Sequence, residues 1–377
     1  MKIVQGKSPR RLLPALVPVA AVAVVTLAAT STASGRPAAA SAASACARVT
    51  PTGTGYSTQL RGANGEKGVT PTAVTLTAAD VAAAKKAVAG KTVAISQHIG
   101  TADYTKQVSA GIVKAMTSLG AKIVKSDANF NPAKQVSDIE NLLTRKPALL
   151  VVFPVDQSAT VPGIKAANRA GVPVVVVGSA LKGGGDYKSL VTADNYEGGV
   201  IAAQQLIGAL KGQGEIAILP YKFSLWHVDE RVRGFKDGIK CTKVKVVESK
   251  QTCTNSTDCV DTFANILTAH PNLKGGFGAY DGIALGMDAA AANAGWKGFV
   301  TTSDLGLATA QAIKSGSHAL QATAVQLTDV QGQVAGKIAT RVLAGKSVPK
   351  LVFAADAPAD KSNVAAVYKR LFGAPLK

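Results

Sequence analysis

The sequence predicts an α/β fold of two lobes, each a parallel sheet with helices on both faces, on three observations. Short apolar runs alternate with helical patterns along most of the chain. The runs are continuous rather than alternating, which suits strands covered on both faces. They also fall into two successive series, and strand–helix alternation of this kind implies right-handed crossovers within each.

The first residues stand outside that pattern. Lys2, Lys7, Arg10 and Arg11 precede an apolar run from Leu12 to Ala29, and small residues follow to Ala45. That order marks residues 1–45 as an export signal. The mature protein is therefore expected to be periplasmic, extracellular or anchored to the outer face of the cell membrane. Pro14 and Pro18 argue against a permanent membrane helix, and no later run is long enough to cross a bilayer. Arg10-Arg11 reads either as a twin-arginine signal or as two ordinary basic residues. Ala43-Ser44-Ala45-Cys46 resembles a bacterial lipobox and makes Cys46 a candidate for lipidation.

Residues 46–90 are rich in Thr, Gly, Ala and Pro and read as a linker or stalk carrying one helix, Thr77–Val88. The first strand series follows at Thr92–Ile95, Lys122–Val124, Leu149–Phe153 and Val174–Val177. Between these strands, Pro132 opens a helix at its first turn, with Val136, Ile139, Leu142 and Leu143 at helical spacing. Asp156 starts the next helix. The second series is Glu215–Leu219, Val244–Val247, Gly275–Ala279, Gly298–Thr302 and Leu320–Ala324.

Charge and cysteines narrow the function. The formal net charge is +19, and five of the basic residues lie in the acid-free first forty-five positions. The others are scattered, without a dense basic run or interleaved aromatics, so a solvated surface is expected and no nucleic-acid partner. Among the four cysteines, Cys253 and Cys259 are the best local pair for a disulfide, across a polar loop. Cys241 and Cys253 flank an expected strand, which holds them too far apart to bond. Cys46 and Cys241 are then either the leftover pair or a lipid-bearing residue and a free thiol. No CxxC or Cys/His array suggests a metal, and no cofactor is expected.

Several ordered segments then carry a specific resemblance. They are Gly111, Asn131-Pro132-Ala133-Lys134, Phe153-Pro154-Val155-Asp156, Ala167 to Val174, Asp194 to Gly199, Arg231 to Phe235, Leu267 to Pro271, Asp281 to Gly286, and Asp304. Together they cover residues 90–350 or so, and by them the chain resembles the type I periplasmic binding proteins, in particular the ribose-binding branch that serves ABC sugar importers. The resemblance implies two Rossmann-like lobes joined by a three-crossover hinge, with crossings near Ala193, Gln326 and Phe353. The N-terminal lobe would take 91–193 and 327–353, and the C-terminal lobe 194–326 and 354–377. A ligand would close the cleft between them.

The same resemblance places the site. After the first strand come His98 and Thr101, with Tyr104 either stacking on a sugar face or serving as a buried aromatic at a helix start. In the second lobe Arg231 matches a ligand-facing arginine, against a salt bridge to Asp229 or Glu230. Trp226 either stacks on ligand or packs between lobes. Tyr280 and Asp281 follow one strand, Asp304 matches a carboxylate that accepts sugar hydroxyls, and Gln326 matches a glutamine able to sense ligand and hinge together. Two departures bear on the ligand. Gly178-Ser179 replaces an Asp-Arg pair of the ribose binders, and Phe153 stands where Asn is often found, so Ser179 and Phe153 imply a larger or less polar ligand than ribose.

Catalytic signatures fail. Gly90-Lys91-Thr92 and Gly345-Lys346-Ser347 lack the first glycine of a phosphate loop, and no Gly-x-Ser-x-Gly elbow occurs. His98, His227, His270 and His318 are isolated, with only the first two near the expected cleft. The expectation is not an enzyme but a monomeric solute-binding protein of an ABC importer, taking a sugar or a related small polar ligand. Its partners would be a membrane permease and an ATPase. Alternatives are a sensing subunit that presents its closed form to a membrane receptor, or a binder of an amino acid or nucleoside. A DNA-binding regulator on the same core would need a helix-turn-helix where this chain has an export signal.

Overall fold

The computed structural model describes residues 49–377 apart from 184–185, 223–224 and 250–252. The export signal and Cys46 lie outside the described residues.

One sheet contains β1 (Thr92–Gln97), β2 (Lys122–Asp127), β3 (Leu149–Val152), β4 (Val174–Val177), β5 (Ser189–Ala193) and β11 (Leu351–Ala354). Its order is β11-β5-β4-β3-β1-β2, parallel throughout. Around it lie α1 (Ala78–Val88), α2 (Asp103–Ser118), α3 (Pro132–Leu143), α4 (Val161–Arg169) and α10 (Thr328–Leu343). Every residue of β3 and β4 is buried, as continuous Leu and Val runs require of strands covered on both faces.

The second sheet contains β6 (Gln213–Leu219), β7 (Lys243–Ser249), β8 (Leu273–Gly278), β9 (Phe299–Ser303), β10 (Leu320–Gln326) and β12 (Asp356–Asp360). Its order is β12-β10-β9-β8-β6-β7. Its helices are α5 (Asn195–Leu210), α6 (Trp226–Ile239), α7 (Asp258–Ala269), α8 (Asp281–Asn293), α9 (Leu307–Ser315) and α11 (Val364–Phe372). Phe235 of α6 stacks on Phe277 of β8, ring centroids 4.3 Å apart, in the middle of this core. α5 and α6 approach closely because Gly199 and Gly234 face the opposing backbone. A Cβ on either would come within 2.0 Å of a carbonyl oxygen of the other helix.

The chain passes between the sheets three times, after β5, after β10 and between β11 and β12. The last passage departs from the all-parallel expectation. Only Ala355 separates β11 from β12, with no helix to bring the chain back, so β12 pairs antiparallel with β10. The short β5, β11 and β12 are absent from the strand runs read in the sequence. Ser189 and Thr192 interrupt the apolar pattern of β5 while being fully buried, and the Thr192 hydroxyl donates to the Gly178 carbonyl at 2.6 Å.

Two local expectations are corrected. The helix expected to start at Asp156 starts at Val161. The Asp156 carboxylate instead accepts from the N–H groups of Ser158 and Ala159, both at 2.7 Å, closing a turn of its own. The stretch expected as a stalk packs on the body from residue 49 onward. Thr77 and Asp80 form a reciprocal capping box at the start of α1. Val69 donates to the Leu351 carbonyl and accepts from the Phe353 N–H, adding an edge to β11. Upstream, Ser57 donates through N–H and Oγ to the Asp194 carboxylate at 2.7 and 2.8 Å. Thr52 does the same to Glu197, and Asp356 N–H donates to the Gly55 carbonyl.

Candidate functional site

A parallel strand delivers the residues after its C-terminal end to one edge of the sheet, where open α/β folds bind ligands. Both sheets turn that edge toward a shared cavity of about 150 Å³. A cavity needs about 10–15 Å³ of such volume to hold one water, so this one has room for a small molecule.

From the first lobe the cavity is lined by His98, Asp103, Tyr104, Gln107, Phe130 and Ser179, among others. His98 follows β1, with Phe130 5.5 Å away between ring centroids. Burial pushes the imidazole down to about 4, against the pull of Asp127 and Asp304, so it is neutral at physiological pH. Phe130 reaches the cavity because Asn129 and Phe130 both take left-handed backbone (φ 48° and 57°), and its N–H donates to the His98 carbonyl at 2.8 Å. The Tyr104 hydroxyl accepts from Gln331 Nε2 at 2.8 Å, which fixes the ring to α10, and burial raises its pKa. Ser179 is 2% exposed, and its hydroxyl has no partner among the described residues.

The second lobe supplies a connected polar wall. Arg231, on the first turns of α6, is 2% exposed. Its Nε donates to Asn195 Oδ1 at 2.9 Å and its Nη1 to the Ala279 carbonyl at 3.0 Å. Two further bonds, at 3.0 and 3.2 Å, grip both oxygens of Asp304, a bidentate pairing with fixed orientation. Gln326 donates to the same carboxylate from the end of β10. Asp304 holds φ at +77°, rare for a residue with a side chain, and two bonds sustain it. Its N–H donates to the Ala324 carbonyl at 3.0 Å, and its carbonyl accepts from Thr323 Oγ1 at 2.6 Å.

Tyr280 and Tyr221 meet edge-to-face at 5.7 Å, and the Tyr280 hydroxyl donates to the Thr254 carbonyl. Thr254 sits in the loop closed by the Cys253–Cys259 disulfide, the pair expected from the sequence. None of the described cysteines is a free thiol, which removes that option for Cys241. Asp281 opens α8, and burial together with Asp304 pushes its carboxyl up to about 7. The lobes touch directly where the Leu307 N–H, at the start of α9, donates to Asp103 Oδ2 at 3.1 Å.

His98, Tyr104, Ser179, Arg231, Tyr280, Asp281, Asp304 and Gln326 of the expected site residues thus line one cavity. Three do not. Thr101 is exposed on the loop after β1. Phe153 is fully buried in the core behind His98, because the chain turns it inward while its carbonyl accepts from Gln135 Nε2. Trp226 packs on Phe353 at 6.4 Å, between-lobe packing rather than ligand stacking. Asp103, Gln107, Phe130, Tyr221, His227 and Phe372 are added to the lining; Asp103 belongs to the stretch after β1 that the sequence places at the cleft, and His227, expected near it, lies on the first turn of α6. Its Nδ1 is buried with no partner among the described residues, and burial, Arg231 and His98 hold its pKa well down.

Two sheets joined by three chain passages, with aromatic side chains of one and a connected polar wall of the other lining the cavity between them, define a two-lobed solute-binding architecture. A sequence profile described as periplasmic binding protein domain matches residues 93–347, and the chain belongs to this family. It is similar to the ribose import binding protein of Salmonella typhimurium, 31% identical over 244 residues, covering 63% of this chain and 80% of that protein. It is also similar in structure to a carbohydrate transporter solute-binding protein of Agrobacterium radiobacter in complex with D-arabinose. That match has a TM-score of 0.68 and 27% identity, over 74% of this chain and 97% of the other. An ABC transporter solute-binding protein of Agrobacterium vitis bound with alpha-D-tagatopyranose gives a TM-score of 0.68 at 25% identity, over 73% and 96%.

Proposed function

We propose that the protein is the exported sugar-binding component of an ABC importer, capturing one small carbohydrate by closing its lobes and delivering it to a membrane permease driven by an ATPase. The observation that carries this reading is the Arg231–Asp304–Gln326 constellation facing Tyr104 and Ser179 across the cavity. A guanidinium and a carboxylate held rigid by each other leave outward lone pairs and N–H groups suited to paired hydroxyls, and aromatic rings suit C–H faces. The lobes would be 91–193 with 327–353 and 194–326 with 354–377. Ligand bridging both would select the closed state. The protein acts as a monomer on this reading, and binding, not catalysis, is its work.

The test is a thermal-shift and calorimetric screen of the mature protein against D-ribose, D-arabinose, D-tagatose, hexoses, polyols, nucleosides and amino acids. Ligand at a hundredfold excess over Kd stabilises by about 2.7 kcal/mol. Asp304→Ala should abolish the shift while leaving a cooperative melt. A shift given only by an amino acid or nucleoside would reject the carbohydrate assignment.

A further inference from the structure

The charges lining the cavity do not balance. Among the described lining residues there are three carboxylates, Asp103, Asp281 and Asp304, and one guanidinium, Arg231. Arg231 has its charge matched by Asp304 in a bidentate pair. Of the three residues between the lining residues Tyr221 and Leu225, Phe223 and Ser224 are uncharged and Lys222 is exposed, outside the lining. Asp281 forms no salt bridge among the described residues. Asp103 has only Lys106 at 3.7 Å, on an exposed helix face, besides the Leu307 N–H.

Asp103 and Asp281 come from opposite lobes and converge. A Cβ built on Gly306 would lie 3.1 Å from Asp103 Oδ2 and 3.1 Å from Asp281 Oδ2, so the two oxygens are at most twice that distance apart. One cation bridges two such oxygens at the ~2.7–2.9 Å of a charge-assisted hydrogen bond when they stand within about 5.8 Å of each other. Tyr280, Tyr221, Phe130 and Phe372 line the same cavity, and aromatic rings attract a cation. A second, independent observation points to the rest of the ligand. Ser179 and Thr328 are 2% and 7% exposed, line the cavity, and have hydroxyls without a partner among the described residues. They call for hydroxyls or ring oxygens beside the charge.

We propose that the ligand is an amino sugar, its ammonium group seated between Asp281 and Asp103. This rests on the sugar-binding reading and names the subclass. A neutral sugar leaves two facing carboxylates to repel each other as the cleft closes. An ammonium turns that repulsion into the contact that draws the lobes together. Burial raises the pKa of Asp281, and the neighbouring Asp304 and Asp103 carboxylates raise it further.

The experiment titrates the mature protein calorimetrically with D-glucosamine, D-galactosamine and D-mannosamine. Each is set against its neutral parent hexose and its N-acetyl derivative, at a pH where the amine is protonated. One amino sugar should bind at least about tenfold more tightly than both its parent and its N-acetyl form, as a charged hydrogen bond requires. In Asp281→Asn and in Asp103→Asn that ratio should fall toward one, with the circular dichroism spectrum retained. Equal binding of parent and amino sugar would overturn the ammonium assignment while leaving the sugar-binding reading intact. Binding of none of the panel at millimolar concentration would overturn the amino-sugar assignment, while failure of D-ribose, D-arabinose, D-tagatose and the polyols as well would overturn the sugar-binding reading. A preference that survives both substitutions would overturn the placement between these two carboxylates.

Discussion

Replacing Arg231 with Met keeps the side-chain stem and removes the charge. In the wild type the guanidinium is 2% exposed and bonds to Asn195, the Ala279 carbonyl and both oxygens of Asp304. Its loss strands the Asp304 carboxylate, whose side chain is 17% exposed, with Gln326 as its remaining donor. Breaking a buried ion pair from one side costs about 3–5 kcal/mol. With an unfolding entropy of about 2.1 cal/mol/K per residue over residues 49–377, each kcal/mol moves Tm by ~1.5 °C. Arg231→Met should therefore lower Tm by about 4–7 °C in calorimetry. The double variant Arg231→Met/Asp304→Asn removes both charges and should recover most of that loss, yet bind no sugar. If the double variant melts as low as the single one, the cost lies in packing and the argument from an orphaned charge is wrong. If either variant binds sugar normally, the polar wall is not the site.

The remaining predictions concern the cavity's supports. Cys253→Ser/Cys259→Ser opens a short loop, which should cost about 2 kcal/mol, and frees the Thr254 carbonyl that holds Tyr280. A lower Tm with weaker sugar binding is expected. Asp281 has a folded pKa raised by burial and by Asp304, so the folded state holds its proton more tightly than the unfolded chain does. Stability from this group is present at low pH and lost as pH rises through about 7, so Asp281→Asn should gain stability relative to wild type above neutrality in pH-resolved melts. Ser57→Ala removes one hydrogen bond to a buried carboxylate and should cost about 1.5–3 kcal/mol by urea denaturation.

Strand ends were the legible part of this site. Asp304, Gln326, Tyr280 and Ser179 each stand just past, or at, the last residue of a buried apolar run, and a parallel sheet delivers such positions to its ligand-facing edge. Phe153 satisfies the same rule and still turns away, because one residue past β3 the chain can send a side chain to either face. A large apolar ring there goes to the core, behind His98. Phe130 shows the converse. It enters the cavity by way of two successive left-handed residues, a backbone choice that no hydrophobic pattern encodes. Phe372 arrives from α11, close to the chain's end, where sequence distance from the rest of the site hides spatial proximity. The misread stalk failed for a compositional reason. Thr, Ser and Gly serve as well for capping buried carboxylates as for an open linker, and the choice is made by Asp194, Glu197 and Asp356, far along the chain.

The segment around Thr52–Ser57 is fastened to Asp194, Glu197 and Asp356, at the second-lobe side of two of the passages, while Val69 is stitched to β11 of the first sheet. It thus straddles the hinge as a leash with both ends tied. Any change in lobe angle must be absorbed by the dozen or so residues between the two fastenings, where Arg61 and Lys67 pair. These residues precede the region 93–347 that defines the family. The balance between open and closed forms sets apparent affinity as directly as any contact in the cleft does. Lengthening or stiffening that leash would therefore retune how tightly the protein holds its sugar without altering a single residue that touches it.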